Sequence, residues 1–296
     1  MDHRGGAWIH IEDPGDDEQA WLTDELGVPA DWVRDAVDPY QRPRFQRLGD
    51  LVLLLVLCAR TAHQRPEPFA TVPLAIVLQP DRAITICRKN PDLLDEIDEG
   101  DSVDPRGIAL ELLVANEQVF RDDLAAIHDR STLDEERLRE SLTGSRLGEL
   151  IDHGRSLAYF DSALRANDRM LEGARDDGLF GEGDLVTAFD EVSERNEENA
   201  ELAQVFTRIH NDLMEGFSSL VSMNLNALVR TLTEVTIALA VPALIAAMWG
   251  MNVSLPFEDV EIAFAVLTAL IMVLAVVAFV LIRFAERFGR VPGRRS

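Results

Sequence analysis

The chain has 296 residues, with 52 acidic against 28 basic residues and a formal net charge of −24, enough for one large water-facing domain and a membrane part. Such acidity excludes nucleic acid as a partner, because a phosphate backbone is repelled. Lys89 is the single lysine beside 27 arginines. That balance suits solubility in concentrated salt, where repulsion between acids is screened within a few ångströms, and points to a halophilic cytoplasm.

In chain order, Ala7 to Glu12 alternates weakly and predicts a strand ending at Asp13-Pro14-Gly15. Asp16 to Leu26 predicts a helix with acids in its first turn and Gly27 as its stop. A short helix near Ala30 to Val37 follows. Leu51 to Ala59, Val72 to Leu78 and Ala83 to Cys87 are apolar runs too short to span a bilayer, and predict strands of a covered sheet. Gln79-Pro80-Asp81-Arg82 forms the hairpin turn between the last two. Cys58 and Cys87 lie inside these runs as reduced core residues. The chain has no CxxC and no HExxH, hence no conventional zinc or redox ligand set.

From Gly107 the pattern is helical. Gly107 to His128 reads as one helix and Leu133 to Leu171 as two or a broken pair, with Gly144, Gly148 and Gly154 as weak points. Four glycines mark Gly173 to Asp184 as a loop. Leu185 to Trp249 is then compatible with one helix interrupted only by Gly216 and Pro242. At 1.5 Å per residue it would reach about 100 Å, the length of a stalk that continues into a bilayer.

Two apolar stretches close the chain. Val235 to Val253 carries no charge, with Arg230 and Glu234 four residues apart on one face just before it. Ile262 to Ile282 is a second uncharged stretch, long enough to cross a hydrocarbon core of about 30 Å. Arg283, Arg287, Arg290, Arg294 and Arg295 follow it, whereas the connection holds Glu258, Asp259 and Glu261 and no base. The positive-inside rule then places both termini in the cytoplasm and the loop outside a multi-pass protein of the cell membrane. Met1 to Trp8 lacks the apolar run of a signal peptide.

On the helix from Ser222 to Met251, Asn226, Val229, Thr233, Thr236 and Ala240 recur at steps of three and four and share one stripe. An amide and two hydroxyls suit a wet interior better than lipid; the alternative is that the threonines bond their own i−4 carbonyls and serve packing. A helix ending at Gly250 can present carbonyls and the Asn252 amide to a small hydrated cation at a pore mouth.

Gly250-Met251-Asn252 between two C-terminal spans resembles the signature of the CorA family of divalent metal ion (magnesium and cobalt) transporters. The extended run Met248-Trp249-Gly250-Met251-Asn252-Val253-Ser254-Leu255-Pro256-Phe257 is similar to one branch of it. The resemblance continues upstream in Trp8 to Pro14, in Asp35 to Arg44, and in Ser156 to Phe160 with Leu164 and Asn167, so that it covers nearly the whole chain. It implies an α+β membrane protein: an N-terminal α/β/α sandwich, a long stalk and pore helix, two transmembrane helices and a funnel-shaped homopentamer in a lipid bilayer. The family pattern assigns the outer selectivity element to Gly250, Met251 and Asn252 and the inner polar ring to Asn226. It places the apolar constriction at Val229 and Leu232, where Val229 is smaller than the Met of other members. An acid early in the long helix would hold regulatory Mg²⁺ between subunits, and Asp190 or Glu191 falls there.

The expected layout is residues 1–130 as the sandwich, 131–183 helical, 184–227 as stalk, 228–249 as first span, 250–260 as outer loop, 261–282 as second span and 283–296 as basic tail. The expected activity is not enzymatic and needs no cofactor: passive, potential-driven uptake of hydrated Mg²⁺, and of Co²⁺ or Ni²⁺, with Mg²⁺ also the regulatory ligand. Mg²⁺ gives up its waters reluctantly, so amide, hydroxyl and carbonyl oxygens, including those of Thr233 and Thr236, would hold its hydration shell. The chain has no G-x-x-x-x-G-K phosphate cradle for an ATP-driven pump. Two alternatives remain: a Zn²⁺ or other transition-metal transporter of the same architecture, and a membrane-anchored sensor. The lack of Cys or His in the pore weighs against the first.

Overall fold

The computed structural model describes residues 2–4, 7–60, 69–91, 93–96, 104–140, 144–250, 262, 265–266, 268–274 and 276–277. The chain divides into two compact units, Met1–Leu213 and Met214–Ser296. The first contains a six-stranded sheet built from β1 (Asp2–Arg4), β2 (Trp8–Glu12), β3 (Arg44–Leu48), β4 (Leu51–Arg60), β5 (Ala70–Leu78) and β6 (Ala83–Cys87). The spatial order is β1-β2-β6-β5-β4-β3. β2 and β6 run parallel, pairing Trp8 with Ala83 and Glu12 with Cys87, and every other pairing is antiparallel.

Alternation along the strands fills both faces of the sheet. Leu54, Val56, Leu74, Ile76 and Cys87 pack on one side against Leu112, Leu113, Met170, Leu171, Phe189 and Val192. These come from α4 (Pro105–Glu140), α5 (Gly144–Asp176) and the start of α6 (Asp184–Trp249), which follow the strands and the single-turn α3 (Leu93–Glu96) in the chain. Leu53, Leu55, Val77, Ile84 and Ile86 point the other way and meet Leu22, Trp32, Val33 and Ala36 of α1 (Asp16–Asp24) and α2 (Ala30–Val37). Helices on both faces of a buried sheet make the expected α/β/α sandwich, and explain why the strands read as continuous apolar runs.

The helix signals operate as the chain predicts. Asp16, Asp17 and Glu18 occupy the first turn of α1, and the Gly15 N–H donates to Glu18 Oε2 at 3.0 Å, one half of a capping box. Past its end, Gly27 takes φ +68° while the Val28 N–H donates to the Leu22 carbonyl, a glycine C-cap in which an L side chain would be strained. The Gln79 N–H reaches the Arg82 carbonyl at 2.9 Å and closes the expected hairpin.

Three differences have physical causes. β3 was not anticipated, because Arg44-Phe-Gln-Arg-Leu48 is largely polar and partly exposed; it is an edge strand held by pairing to β4 alone. α4 runs on to Glu140 and α5 begins at Gly144, so the helical region from Leu133 to Glu140 belongs to α4. α5 also passes Gly173, placed in a loop by its glycine content, and ends at Asp176. A Cβ at Gly173 would come 3.0 Å from the Phe45 Cβ, so this glycine lets the helix approach β3 rather than breaking it.

Amides from two helices complete the hydrogen bonding of β4. Leu57 lies opposite Pro73, which has no N–H, and beyond Arg44, where β3 ends opposite Leu55. Its N–H donates to Asn167 Oδ1 at 2.9 Å, and its carbonyl accepts from Asn167 Nδ2 at 2.8 Å and Asn116 Nδ2 at 3.4 Å. Backbone groups this deep need such partners.

Candidate functional site

The long helix α6 spans 66 residues. Its first part belongs to the sandwich core, with Phe189 and Val192 buried against the sheet side and Ala203 packed among Phe120, Leu157 and Phe160. Asn196 Nδ2 donates to the Leu164 carbonyl and Asn199 Nδ2 to the Glu117 carbonyl.

From Ser218 to its end the same helix changes character. It is long and apolar enough to cross a membrane, and none of its most apolar window is buried within the chain. The core helix of a water-soluble protein would bury such a face; here Leu228, Leu232, Leu239 and Leu244 all stand exposed. An apolar surface of this extent is an interaction surface, for lipid, for other copies of the chain, or for both.

On that segment the structure places Asn226, Val229, Leu232, Thr233 and Thr236, all with exposed side chains apart from their own helix. Thr233 Oγ1 donates to the Val229 carbonyl and Thr236 Oγ1 to the Leu232 carbonyl, each at 2.8 Å. The back-bonding alternative is therefore the observed geometry, and it leaves a useful oxygen. Each hydroxyl proton is spent on the helix, so the lone pairs facing outward can only accept. Waters bound to a cation point their protons outward and need acceptors. Arg230 Nε and Glu234 Oε1 pair at 3.0 Å, the i,i+4 contact expected at the membrane boundary.

Gly250 closes the helix through its N–H on the Ala246 carbonyl at 3.0 Å. Met251 and Asn252, the outer loop and the basic tail from Arg283 lie outside the described residues. Of the second apolar stretch, residues 265–266, 268–274 and 276–277 are helical, and their side chains are exposed or partly so.

The acidic candidates lie in the other unit, at the start of α6. Arg175 Nη2 donates to Asp190 Oδ1 at 2.8 Å, and Arg195 lies 3.9 Å from Glu191. Glu191 also lines a groove of about 590 Å³ shared by α4 and α6 with Glu117, Arg121, Glu194, Arg195 and Glu198. Arg121 is paired with Glu198. Glu117 forms the floor. It is buried, Asn199 Nδ2 donates to its Oε2 at 3.1 Å, and burial pushes its carboxyl up to about 8. Among the described residues no group of three His, Cys, Asp or Glu is arranged to hold a metal.

Sequence reasoning missed Glu117 and its asparagine partner. The available signal was the polar Asn116-Glu117-Gln118 step inside the largely apolar stretch from Ile108 to Phe120, matched by Asn196 and Asn199 on the helix that covers it. Cys58 and Cys87 are free, buried thiols as expected, and desolvation raises both, Cys87 to about 12. They are inert packing groups.

An α/β/α sandwich whose last helix runs on as an exposed apolar span defines a membrane protein with a water-facing domain. The sequence model of the family described as "CorA-like Mg2+ transporter protein" matches residues 4–284. The chain belongs to that family, and is a transporter rather than an enzyme. Solved structures share its fold. The complete structure of the CorA magnesium transporter from Methanocaldococcus jannaschii is 19% identical, with 93% of this chain and 89% of that chain covered at TM-score 0.78. The full-length CmaX protein is 20% identical over 94% and 88%, at TM-score 0.70. The cytoplasmic domain of ZntB from Vibrio parahaemolyticus is 14% identical over 73% and 88%, at TM-score 0.59. No protein with a curated description matches the sequence significantly.

Proposed function

We propose that this chain assembles as a homopentamer in the cell membrane and passes hydrated divalent cations, chiefly Mg²⁺, passively into the cytoplasm. The observation that supports it most is on α6: an exposed, largely apolar helix carries Asn226, Thr233 and Thr236 on one stripe, its one Arg230–Glu234 pair closed on itself, and ends at the Gly250-Met251-Asn252 tripeptide. Five copies of that stripe around an axis would supply rings of neutral acceptors, with Val229 and Leu232 as the narrow apolar collar between the Asn226 and Thr233 levels. Neutral acceptors hold the outer face of a hydration shell without trapping the ion. The driving force is the membrane potential, about 2.3 kcal/mol per charge at 100 mV and twice that for a divalent ion.

Regulation by cytoplasmic Mg²⁺ would act through Asp190 and Glu191. Both are exposed acids beside guanidinium groups, so a bound cation would replace an arginine contact with a stronger electrostatic partner from between subunits. Mg²⁺ uptake into proteoliposomes under a clamped potential tests the reading. Saturable, potential-dependent Mg²⁺ entry supports it. Uptake of Zn²⁺ with Mg²⁺ excluded would transfer the assignment to a transition-metal transporter of the same build.

A further inference from the structure

One buried titratable group takes no part in the cation path. His210 of α6 is 7% exposed, and its Nδ1 has no hydrogen-bond partner among the described residues. Its ring is seated on α5 at a position only glycine allows. A Cβ at Gly154 would stand 2.4 Å from His210 Nε2 and 2.8 Å from its Cδ2. Beside the ring is a cavity of about 30 Å³ walled by Leu157, Phe206, Ile209 and Leu213, with His128, Ser131 and Thr132 from α4. A space of that size admits roughly one water, and therefore a proton.

The groups that face His210 are other imidazoles. From α5 the facing titratable group is His153, whose Nδ1 lies 3.3 Å from Ser131 Oγ. From α4 it is His128, stacked on Phe206 with centroids 4.5 Å apart. Among the described residues no carboxylate lines the cavity. Burial and the neighbouring His153 both lower the affinity of His210 for a proton. A charged imidazolium here would have no anion among the described residues lining the cavity, would lose its hydration, and would stand beside a second imidazole.

We propose that the seating of His210 on Gly154 is a pH-sensitive catch between α5 and α6, closed when the imidazole is neutral and released when it is protonated. The sign follows from proton binding. With its folded pKa below the ordinary value of about 6.5, the released ring binds more protons than the seated one as pH falls through that value, so acid favours release. One pH unit below 6.5, the released form gains at most about tenfold.

The test is hydrogen–deuterium exchange on the full-length protein in detergent at pH 7.5 and 5.5, corrected for the intrinsic pH dependence of exchange. Amides of residues 150–158 and 206–213 should exchange up to about tenfold faster at pH 5.5, while those of β4 and β5 keep their protection. His210→Leu should abolish the acid step in those segments. Gly154→Ala should show the faster exchange already at pH 7.5 with no further acid step, since the added Cβ displaces the ring. Should His210→Leu fail to fold, His153→Gln carries the test: losing the neighbouring imidazole should shrink the acid step. An acid step unchanged in whichever of these variants folds, or no acid step in the natural chain, overturns the proposal.

Discussion

The same side chains meet opposite fates in the two units. Leu54 in β4 is fully buried, whereas Leu232 in α6 is 67% exposed. In the sandwich, a leucine is placed by alternation along a strand and covered by helices on both faces. On the far part of α6 it stands exposed among the described residues, as a surface turned to lipid or to other copies of the chain would. Hydrophobicity alone does not tell a core from a membrane surface; run length does. β4 has 10 residues, too few to cross a bilayer as a helix, whereas the apolar part of α6 is long enough.

This contrast can be broken most sharply at the end of α6. Asn252→Ala should abolish Mg²⁺ uptake in proteoliposomes while the protein still elutes at its assembled size; normal flux in a correctly inserted variant would remove Asn252 from the cation path. Next in size is the paired substitution Leu54→Ala and Leu232→Ala. The first opens a cavity in a closed core and should cost about 2–5 kcal/mol in chemical unfolding of the full chain. The second should leave that unfolding transition in place. Equal destabilisation would mean that the exposed leucine is core after all.

Asn167→Ala sharpens the comparison inside the sandwich. It strips the partners from the Leu57 N–H and weakens those of its carbonyl, and should cost about 1–3 kcal/mol for the orphaned N–H, read from the same unfolding curves. Glu117→Gln should act the other way at high pH. The natural carboxyl is raised to about 8 when folded, from about 4.5, so the folded state holds the proton longer and stability falls as pH rises between those values. The glutamine variant should flatten that decline and melt higher than the natural protein at pH 8.5. A parallel pH profile would place the ionised form of Glu117 in the folded state already. The smallest expected effect is regulatory: Asp190→Asn with Glu191→Gln should shift the Mg²⁺ midpoint of protease protection to higher concentration. An unchanged midpoint would move the site to another of the acids along the groove.

Much of this was legible in the chain. α2 and β6 fall at the residues their patterns give, and β4 differs by one, because segments bounded by turn or charged residues leave few choices. β1 and β3 were not legible. Both are sheet edges, whose existence depends on a partner strand rather than on their own composition. The glycines of α5 misled for a related reason. Gly154 and Gly173 weaken a helix taken alone, yet one seats His210 and the other admits Phe45. For the site, the stripe of Asn226, Thr233 and Thr236 could be placed by period, since a helix imposes it. Glu117 and Asn199 could not be paired, because 82 residues separate them and only the packing of α4 on α6 joins them.

The parallel pairing of β2 with β6 has a consequence for biosynthesis. Trp8 on β2 hydrogen-bonds to Thr85 on β6 across 77 residues, and β2 has no long neighbour until then, only the three-residue β1. At about 5–20 residues per second, a ribosome leaves one long edge of β2 bare for roughly 4–15 s. Trp8, Ile9 and Ile11 are then open to any other strand in reach. This edge is open well before the apolar part of α6 has been made, and a holding chaperone that binds short apolar segments would find a client site at residues 8 to 11.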